Sequence, residues 1–384
     1  MSSSAAEITK IFETEQHDSK VTKASEVPTS YDAITDEWLT DVLCRSAPGA
    51  AVTGHRFNER DDGSSNRRRI FVTYNDAGQA AGLPGTVFCK AAESLQTRLV
   101  LGISGAALNE VNFYNKIRPR LEMEAPRGLH AGYNPTNYAS LIMLEDMADH
   151  VTFCDDLTVI DWERATSQAA NLARFHAHFY ESPELGTDTV PYRTWHKWWY
   201  DMMTASPKFP ESCDLAFGDS EALMPARLYR RRAEVWPATD KSLARHLELP
   251  KTFIHCDVHL KNWYVTNDNV MGLSDWQCAA VGHWSRDFVY TMTTALTIEN
   301  RRKWEKDLVR FYLDKMAELG VPKISEDEAW KNLRQQLMTA LAFWTITLHP
   351  APGMPDMQPE RTTHEFLRRL YAAIDDHDAL DSFD

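Results

Sequence analysis

Apolar positions in this chain change period near residue 150. Before that point they fall in short alternating runs, with two helical stretches among them. After it they recur at three- and four-residue spacing over long segments. Residues 1–30 are polar and Ser/Thr/Glu-rich and read as a flexible arm, or as one packed on a neighbour. A helix follows, capped by Thr35, stapled by Ile34 and Leu39, striped by Trp38, Leu39, Val42 and Leu43, and stopped at Pro48-Gly49. Residues 52–74 read as a hairpin with the turn Asp61-Asp62-Gly63-Ser64-Ser65-Asn66 at its tip. Thr86–Ala91 reads as a buried strand, Ala106–Arg118 as a helix ending before Pro119, and Tyr138–Glu145 as another strand. Further on, two short apolar runs, 252–254 and 270–273, flank the turn residues Asn267, Asp268 and Asn269. They read as two strands, each delivering an acidic residue at its end.

Two charged residues break this pattern. Lys90 lies inside an apolar strand, where an unpaired ammonium costs several kcal/mol. Glu110 shares a helix face with Phe113, Tyr114 and Ile117 at spacings of three, four and seven. Each needs an opposite charge, and each is the natural partner of the other. The stretch from Phe253 to Gln277 adds Asp257, Asn262 and Asp275. Two carboxylates and an amide converging on one spot make a hard-oxygen site that suits magnesium, and a carboxylate left free of metal could take a hydroxyl proton. The small residues Gly63, Ser64 and Ser65 could bring backbone N–H groups close to phosphate oxygens.

His255-x-Asp257-x4-Asn262, followed by a strand and Asp275, resembles the catalytic and metal loops of the kinase-like phosphotransferases. With His259 present and Asp275-Trp276 in place of D-F-G, it is similar to the aminoglycoside and choline phosphotransferases and unlike the protein kinases. VTYNDAGQAAGLPGTVFCK, NEVNFYNKIRPRL and EAPRG look further like the ecdysteroid kinase-like (CHK kinase-like) branch. The resemblance spans roughly residues 50–300. It implies an α+β, bilobal protein-kinase-like fold: a small N-lobe with an antiparallel sheet and one key helix, and a larger, mainly helical C-lobe. The boundaries it suggests are an arm at 1–30, an N-lobe at 31–147 and a C-lobe at 148–384.

The same resemblance implies the site. Lys90, oriented by Glu110, would grip the α- and β-phosphates of ATP or GTP, with Ser64, Ser65 and Asn66 covering them. Backbone groups near Glu145–Met147 would meet adenine. Asn262 and Asp275 would hold Mg2+, and Asp257 would accept the proton of the attacking hydroxyl. His255 would anchor the loop, and His259 would touch phosphate or brace Asp257. Asp287 would brace the loop or simply cap its helix. Cys256 departs from the glycine frequent in the aminoglycoside enzymes, and the phosphate hairpin is poor in glycine.

Composition trims the alternatives. A formal net charge of −14 argues against a nucleic-acid partner. Six scattered cysteines without a C-x-x-C pair suit reduced thiols in a cytoplasmic protein. No apolar stretch approaches the roughly 18 residues that span a bilayer, so no membrane partner is expected. His176 and His178 point to different helix faces and read as one core and one surface histidine. The aromatic block Trp195, Trp198, Trp199 and Tyr200 reads as helix core, or as the lining of a pocket for a greasy substrate. Trp344, His349 and the loop 350–359 are further candidates for substrate contact. The expected activity is transfer of the ATP γ-phosphate to a hydroxyl of a small apolar or aromatic molecule, a sterol-like alcohol foremost. The alternatives are an aminoglycoside or choline kinase using Asp155, Asp156, Asp201 or Glu211, and a non-catalytic nucleotide-binding scaffold. Oligomeric state is open.

Overall fold

The first part of the chain builds an antiparallel sheet because its alternating runs each leave one apolar face to cover. The structure, a computed structural model, describes residues 5–205, 208–350 and 357–383. It divides into two compact units, residues 1–120 with 126–149, and residues 121–125 with 150–384.

The first unit contains α1 (Ala5–Thr14), α2 (Asp36–Leu43), β1 (Val52–Phe57), β2 (Asp61–Asp62), β3 (Asn66–Tyr74), α3 (Asp76–Ala80), β4 (Thr86–Ala91), α4 (Leu95–Ser104), α5 (Ala106–Asn112), β5 (Gly128–Tyr133) and β6 (Ser140–Glu145). Its strands pair antiparallel in the order β1-β3-β4-β6-β5, with β2 pairing off β3. Val87, Cys89, Ala91, Leu141 and Met143 turn one face of the sheet onto Trp38, Leu39 and Val42 of α2. The side chain of Thr35 caps α2 by accepting from the Trp38 N–H at 3.1 Å, as its sequence position requires. Alternation along β4 puts Lys90 on the opposite face from Cys89. Helical backbone continues past α5 through a π-turn at Phe113–Ile117 into a 3-10 turn at Arg118–Arg120. Residues of the expected arm are tied in here. Ile8 of α1 is buried, and Arg98 of α4 bonds Glu15 and the Thr29 carbonyl.

The second unit is mainly helical, with β7 (Val151–Phe153), α6 (Trp162–His178), α7 (Trp195–Ala205), α8 (Phe209–Asp219), α9 (Ala226–Arg230), α10 (Val235–Glu248), β8 (Thr252–Ile254), β9 (Trp263–Thr266), β10 (Met271–Leu273), β11 (Ala280–Gly282), α11 (Ser285–Ala295), α12 (Ile298–Glu318), α13 (Glu326–Leu348) and α14 (Glu360–Asp376). Its strands form a three-stranded sheet, β10-β9-β7, and a two-stranded one, β11-β8. One expectation needs correction here. The turn at 267–269 does not follow the strand that ends at His255; it joins β9 to β10, while β8 pairs with β11. Each acidic residue still leaves the end of a strand, but the two strands belong to different sheets. The strap 121–125 is fastened within this unit: Glu124 N–H donates to Asn171, Leu273 N–H donates to the Glu124 carbonyl, and Tyr264 donates to its carboxylate at 2.8 Å. Among the described residues no helix is long and apolar enough to cross a membrane.

Candidate active site

In the first unit Lys90 Nζ lies 2.8 Å from Glu110 Oε1, with only 11% and 3% of the two side chains exposed. The helix bearing Glu110 starts at Gly105, whose φ of 75° is a left-handed conformation that glycine takes without strain. Glu110 therefore faces the sheet together with Phe113, Tyr114 and Ile117, all buried. At the hairpin tip Ser64 is exposed and Ser65 is buried. The side chain of Asn66 is engaged within the unit. Its side-chain oxygen already accepts from Glu93 N, Ser94 N and Thr97 Oγ1, and its amide nitrogen donates to Asp62. That side chain is an internal bracket. At the other end of the unit Glu145 donates its N–H to the Arg127 carbonyl, its carboxylate lies 3.3 Å from Arg127, and Met147 is half-buried.

The second unit brings the motif residues of its loops together. From Thr252 to Val265 only Asp257 and Lys261 escape full burial, and Asp275 is half-buried at the end of an otherwise covered strand. The carboxylates reach solvent while the loop that carries them does not. Asn262 donates its amide N–H to the Asp257 carbonyl at 2.7 Å and to its Oδ2 at 3.3 Å. Ser274 N and Oγ both donate to the Asn262 carbonyl, at 2.8 and 2.9 Å, which ties the segment before Asp275 to Asn262. Asp275 has φ 65° and Cys256 φ 68°, left-handed conformations for non-glycine residues.

His255 is fully buried, and its two ring nitrogens have opposite roles. Nε2 donates to the Ser274 carbonyl at 2.9 Å, while Nδ1 accepts from the Asp257 N–H at 3.1 Å. Only the neutral imidazole can do both. Burial holds its pKa below the usual value despite nearby Asp287 and Asp257. His255 thus ties the Ser274 carbonyl to the Asp257 N–H. His259 is also buried and held neutral by burial, with Nε2 3.6 Å from Asp257 Oδ2 and no partner at Nδ1.

Asp287 is fully buried. Burial alone would raise its pKa, but a bond from His176 and the His255 N–H outweigh that and hold the carboxyl low. It accepts from His255 N at 2.6 Å and Cys256 N at 2.9 Å, so it braces the loop and is no simple cap. Two neighbours had no signal in the sequence pattern. Tyr290 Oη sits 3.4 Å from Asp257 Oδ1, and Arg286 donates to the Cys256 carbonyl at 3.1 Å. Their position one turn of α11 around Asp287 is the only hint the chain offered.

Other candidates resolve as core or surface. His176 is buried and bonded to Tyr312, and His178 is exposed. Trp195, Trp198 and Trp199 are buried in one cluster with Leu243, Ile254 and Ala342, so the three tryptophans of the aromatic block are core, while Tyr200 is exposed. Asp156 is bonded to Arg361 and Thr362, and Asp201 to Arg193 and Lys197. Trp344 is buried against His259 and Phe366, and His349 pairs with Asp219. Residues 351–356 of the loop 350–359 lie outside the described residues.

A model of the phosphotransferase enzyme family matches residues 106–321, more than half of the chain and the whole stretch from Glu110 through Asp287. The chain belongs to that family. This enzyme is a phosphotransferase, and it has the α+β composition of the kinase-like fold. No curated protein matches it in sequence. Among solved structures it is similar to an aminoglycoside phosphotransferase described as putative from Ralstonia eutropha, with 13% identity, TM-score 0.49, and 88% of this chain and 97% of that one covered. It is similar too to the choline kinase LicA of Streptococcus pneumoniae, with 10% identity, TM-score 0.45, and coverage of 86% and 94%. The ethanolamine kinase of Plasmodium vivax shows 9% identity, TM-score 0.46, and coverage of 83% and 81%. At that distance the family model alone carries the assignment.

Proposed function

We propose that this phosphotransferase moves the γ-phosphate of ATP to a hydroxyl of a small molecule in a magnesium-dependent reaction. The observation that carries the reading is the loop in which Asp257 is partly exposed, held by Asn262 and His255, and joined through Ser274 to Asp275. Its donor set fits magnesium: one carboxylate at Asp275, and an amide at Asn262 whose nitrogen is turned to Asp257, leaving its oxygen for a cation. Asn262 and Asp275 would hold magnesium, which would supply positive charge to offset the negative charge developing on the transferred phosphate. Lys90, held by Glu110, draws the α- and β-phosphates. The N–H groups of Ser64 and Ser65 cover the phosphates, and the backbone at Glu145–Met147 receives the base. The acceptor oxygen attacks the γ-phosphorus, the bond to the β-phosphate bridging oxygen breaks, ADP leaves, and the hydroxyl proton passes to Asp257. His259 braces the Asp257 carboxylate.

For the acceptor we favour an apolar, sterol-like alcohol, supported by the resemblance of the N-terminal segments to the ecdysteroid kinase-like branch. A cationic acceptor of the aminoglycoside or choline type is the second reading: Asp156 and Asp201 already serve internal partners, while Asp155 and Glu211 are exposed.

Thermal stability with a non-hydrolysable ATP analogue tests the reading. At about 100 times its dissociation constant a nucleotide adds about 2.7 kcal/mol. The rise should require magnesium, vanish in Asp275→Ala and persist in Asp257→Ala, whose turnover should nevertheless collapse. Near-normal turnover in Asp257→Ala would overturn the assignment of the base. No shift with any nucleotide would point to a scaffold instead.

A further inference from the structure

Arg286 is fully buried, yet no carboxylate pairs with it among the described residues, and two of its nitrogens, Nε and Nη1, have no hydrogen-bond partner. Its guanidinium lies over the rings of Tyr290 at 4.5 Å, Trp195 at 5.2 Å and Phe343 at 5.3 Å. A desolvated cation is costly even when aromatic faces soften the cost. An apolar side chain would pack into the same ring cluster without that penalty. Its one directed bond runs from Nη2 to the carbonyl of Cys256.

Cys256 is where the chain needs help. It precedes Asp257 and sits at φ 68°, a conformation glycine takes freely and a residue with a Cβ resists. Its thiol is buried among Trp195, Trp198, Leu243 and Ala280. Both polar groups of the residue are gripped from adjacent positions of one helix. Asp287 Oδ1 accepts its N–H at 2.9 Å, and Arg286 Nη2 donates to its carbonyl at 3.1 Å. The carbonyl of Cys256 belongs to the same peptide plane as the N–H of Asp257, so holding that oxygen sets the direction in which Asp257 leaves the loop.

We propose that Arg286 and Asp287 form a two-residue clamp that forces Cys256 into its left-handed conformation and thereby aims Asp257. Arg286 is the new member, a positioning residue that acts through the Cys256 peptide. The clamp offsets backbone strain that a glycine at 256 would not generate, so the two positions are coupled. This inference rests on the reading of Asp257 as the base, and its test separates the two.

The test uses the full chain, magnesium-dependent ATP hydrolysis with water as acceptor, and thermal unfolding. Arg286→Met keeps the packing volume and drops the cation and the bond. Its melting temperature should stay close to that of the parent or rise, and the stabilisation by ATP analogue should survive. Its kcat should fall by between about 10- and 100-fold, the scale expected when a reacting group is misplaced by up to an ångström, with KM for ATP little changed. Adding Cys256→Gly to Arg286→Met should recover part of the lost kcat. In unfolding, Cys256→Gly should be better tolerated with Arg286→Met than alone. Parental kcat in Arg286→Met, or no recovery and no coupling with Cys256→Gly, would overturn the clamp. So would failure of Arg286→Met and Arg286→Lys to fold with no recovery by Cys256→Gly, because Arg286 would then be a fastener of the core. If the parent protein neither binds nor hydrolyses ATP, the proposed function fails, and the unfolding coupling alone judges the clamp.

Discussion

A lysine inside a strand and a glutamate inside a helix face are each unfavourable alone, and their 2.8 Å contact explains why both are kept. The pair is a weak source of net stability, since burying two charges costs nearly as much as their attraction returns. Breaking it is another matter. Lys90→Met should cost about 3–5 kcal/mol because the Glu110 carboxylate stays behind in a nearly closed site. Adding Glu110→Leu should restore most of that stability, because two apolar side chains then meet. Turnover should be lost in both variants. Urea unfolding beside an ATPase assay separates the two effects. A double variant that regained activity along with stability would remove Lys90 from the phosphate site. His255 shows a different economy at the same scale: one neutral ring donates at Nε2 and accepts at Nδ1, fixing Ser274 and Asp257 together.

Elements differ in how readily the chain announces them. The capped helix α2, the strand β4 and the stripe of α6 were legible because cap chemistry and apolar period agreed there. Lys90, Glu110, Asp257, Asn262 and Asp275 were legible because a charge in an apolar run is an anomaly that needs a reason. The pairing of β8 with β11 was not, since three-residue strands buried on every side show no alternation and their register is set by distant neighbours. Nor was α4, whose start depends on a residue far away in sequence. Asn66 on β3 accepts from Glu93 N, Ser94 N and Thr97 Oγ1, and so fixes the first turn of that helix beside its Ser94 cap. This makes Asn66 a structural residue with a measurable signature. Asn66→Ala should leave the Glu93 N–H unsatisfied, while the Ser94 N–H keeps Thr97 Oγ1 of its capping box, and should cost about 1–3 kcal/mol. Hydrogen exchange should accelerate first in α4 and the β2–β3 hairpin, while the ATP analogue still binds. Loss of nucleotide binding with α4 still protected would return Asn66 to the phosphate site.

At the scale of the whole chain, the two units should answer acid differently because their buried histidines are unequally shared. In the first unit, burial pushes His130 down to about 4. In the second, burial lowers His176, His255, His259 and His283, and takes His246 to about 3. His246 is bonded to Gln336 at 2.7 Å and accepts the His283 N–H at 3.0 Å, so protonating it breaks an arrangement built for the neutral ring. A histidine with a depressed folded pKa takes its proton more readily when unfolded. Its contribution is therefore complete above the unfolded value of about 6.5 and is lost as pH falls below it. For His246 the loss continues down to about pH 3, at on the order of 1 kcal/mol per pH unit. The carboxylates Asp287, Glu305 and Asp376, all held low, keep their contributions until the pH falls through the ordinary carboxyl range, so the window between about 6 and 4.5 belongs to the imidazoles. Thermal melts across that window should show the second unit losing stability sooner and more steeply than the first. His246→Gln should flatten the slope for the second unit even if it lowers the plateau at neutral pH. Equal slopes in both units, or an unchanged slope in His246→Gln, would mean that the buried rings take up protons without opening the helical core.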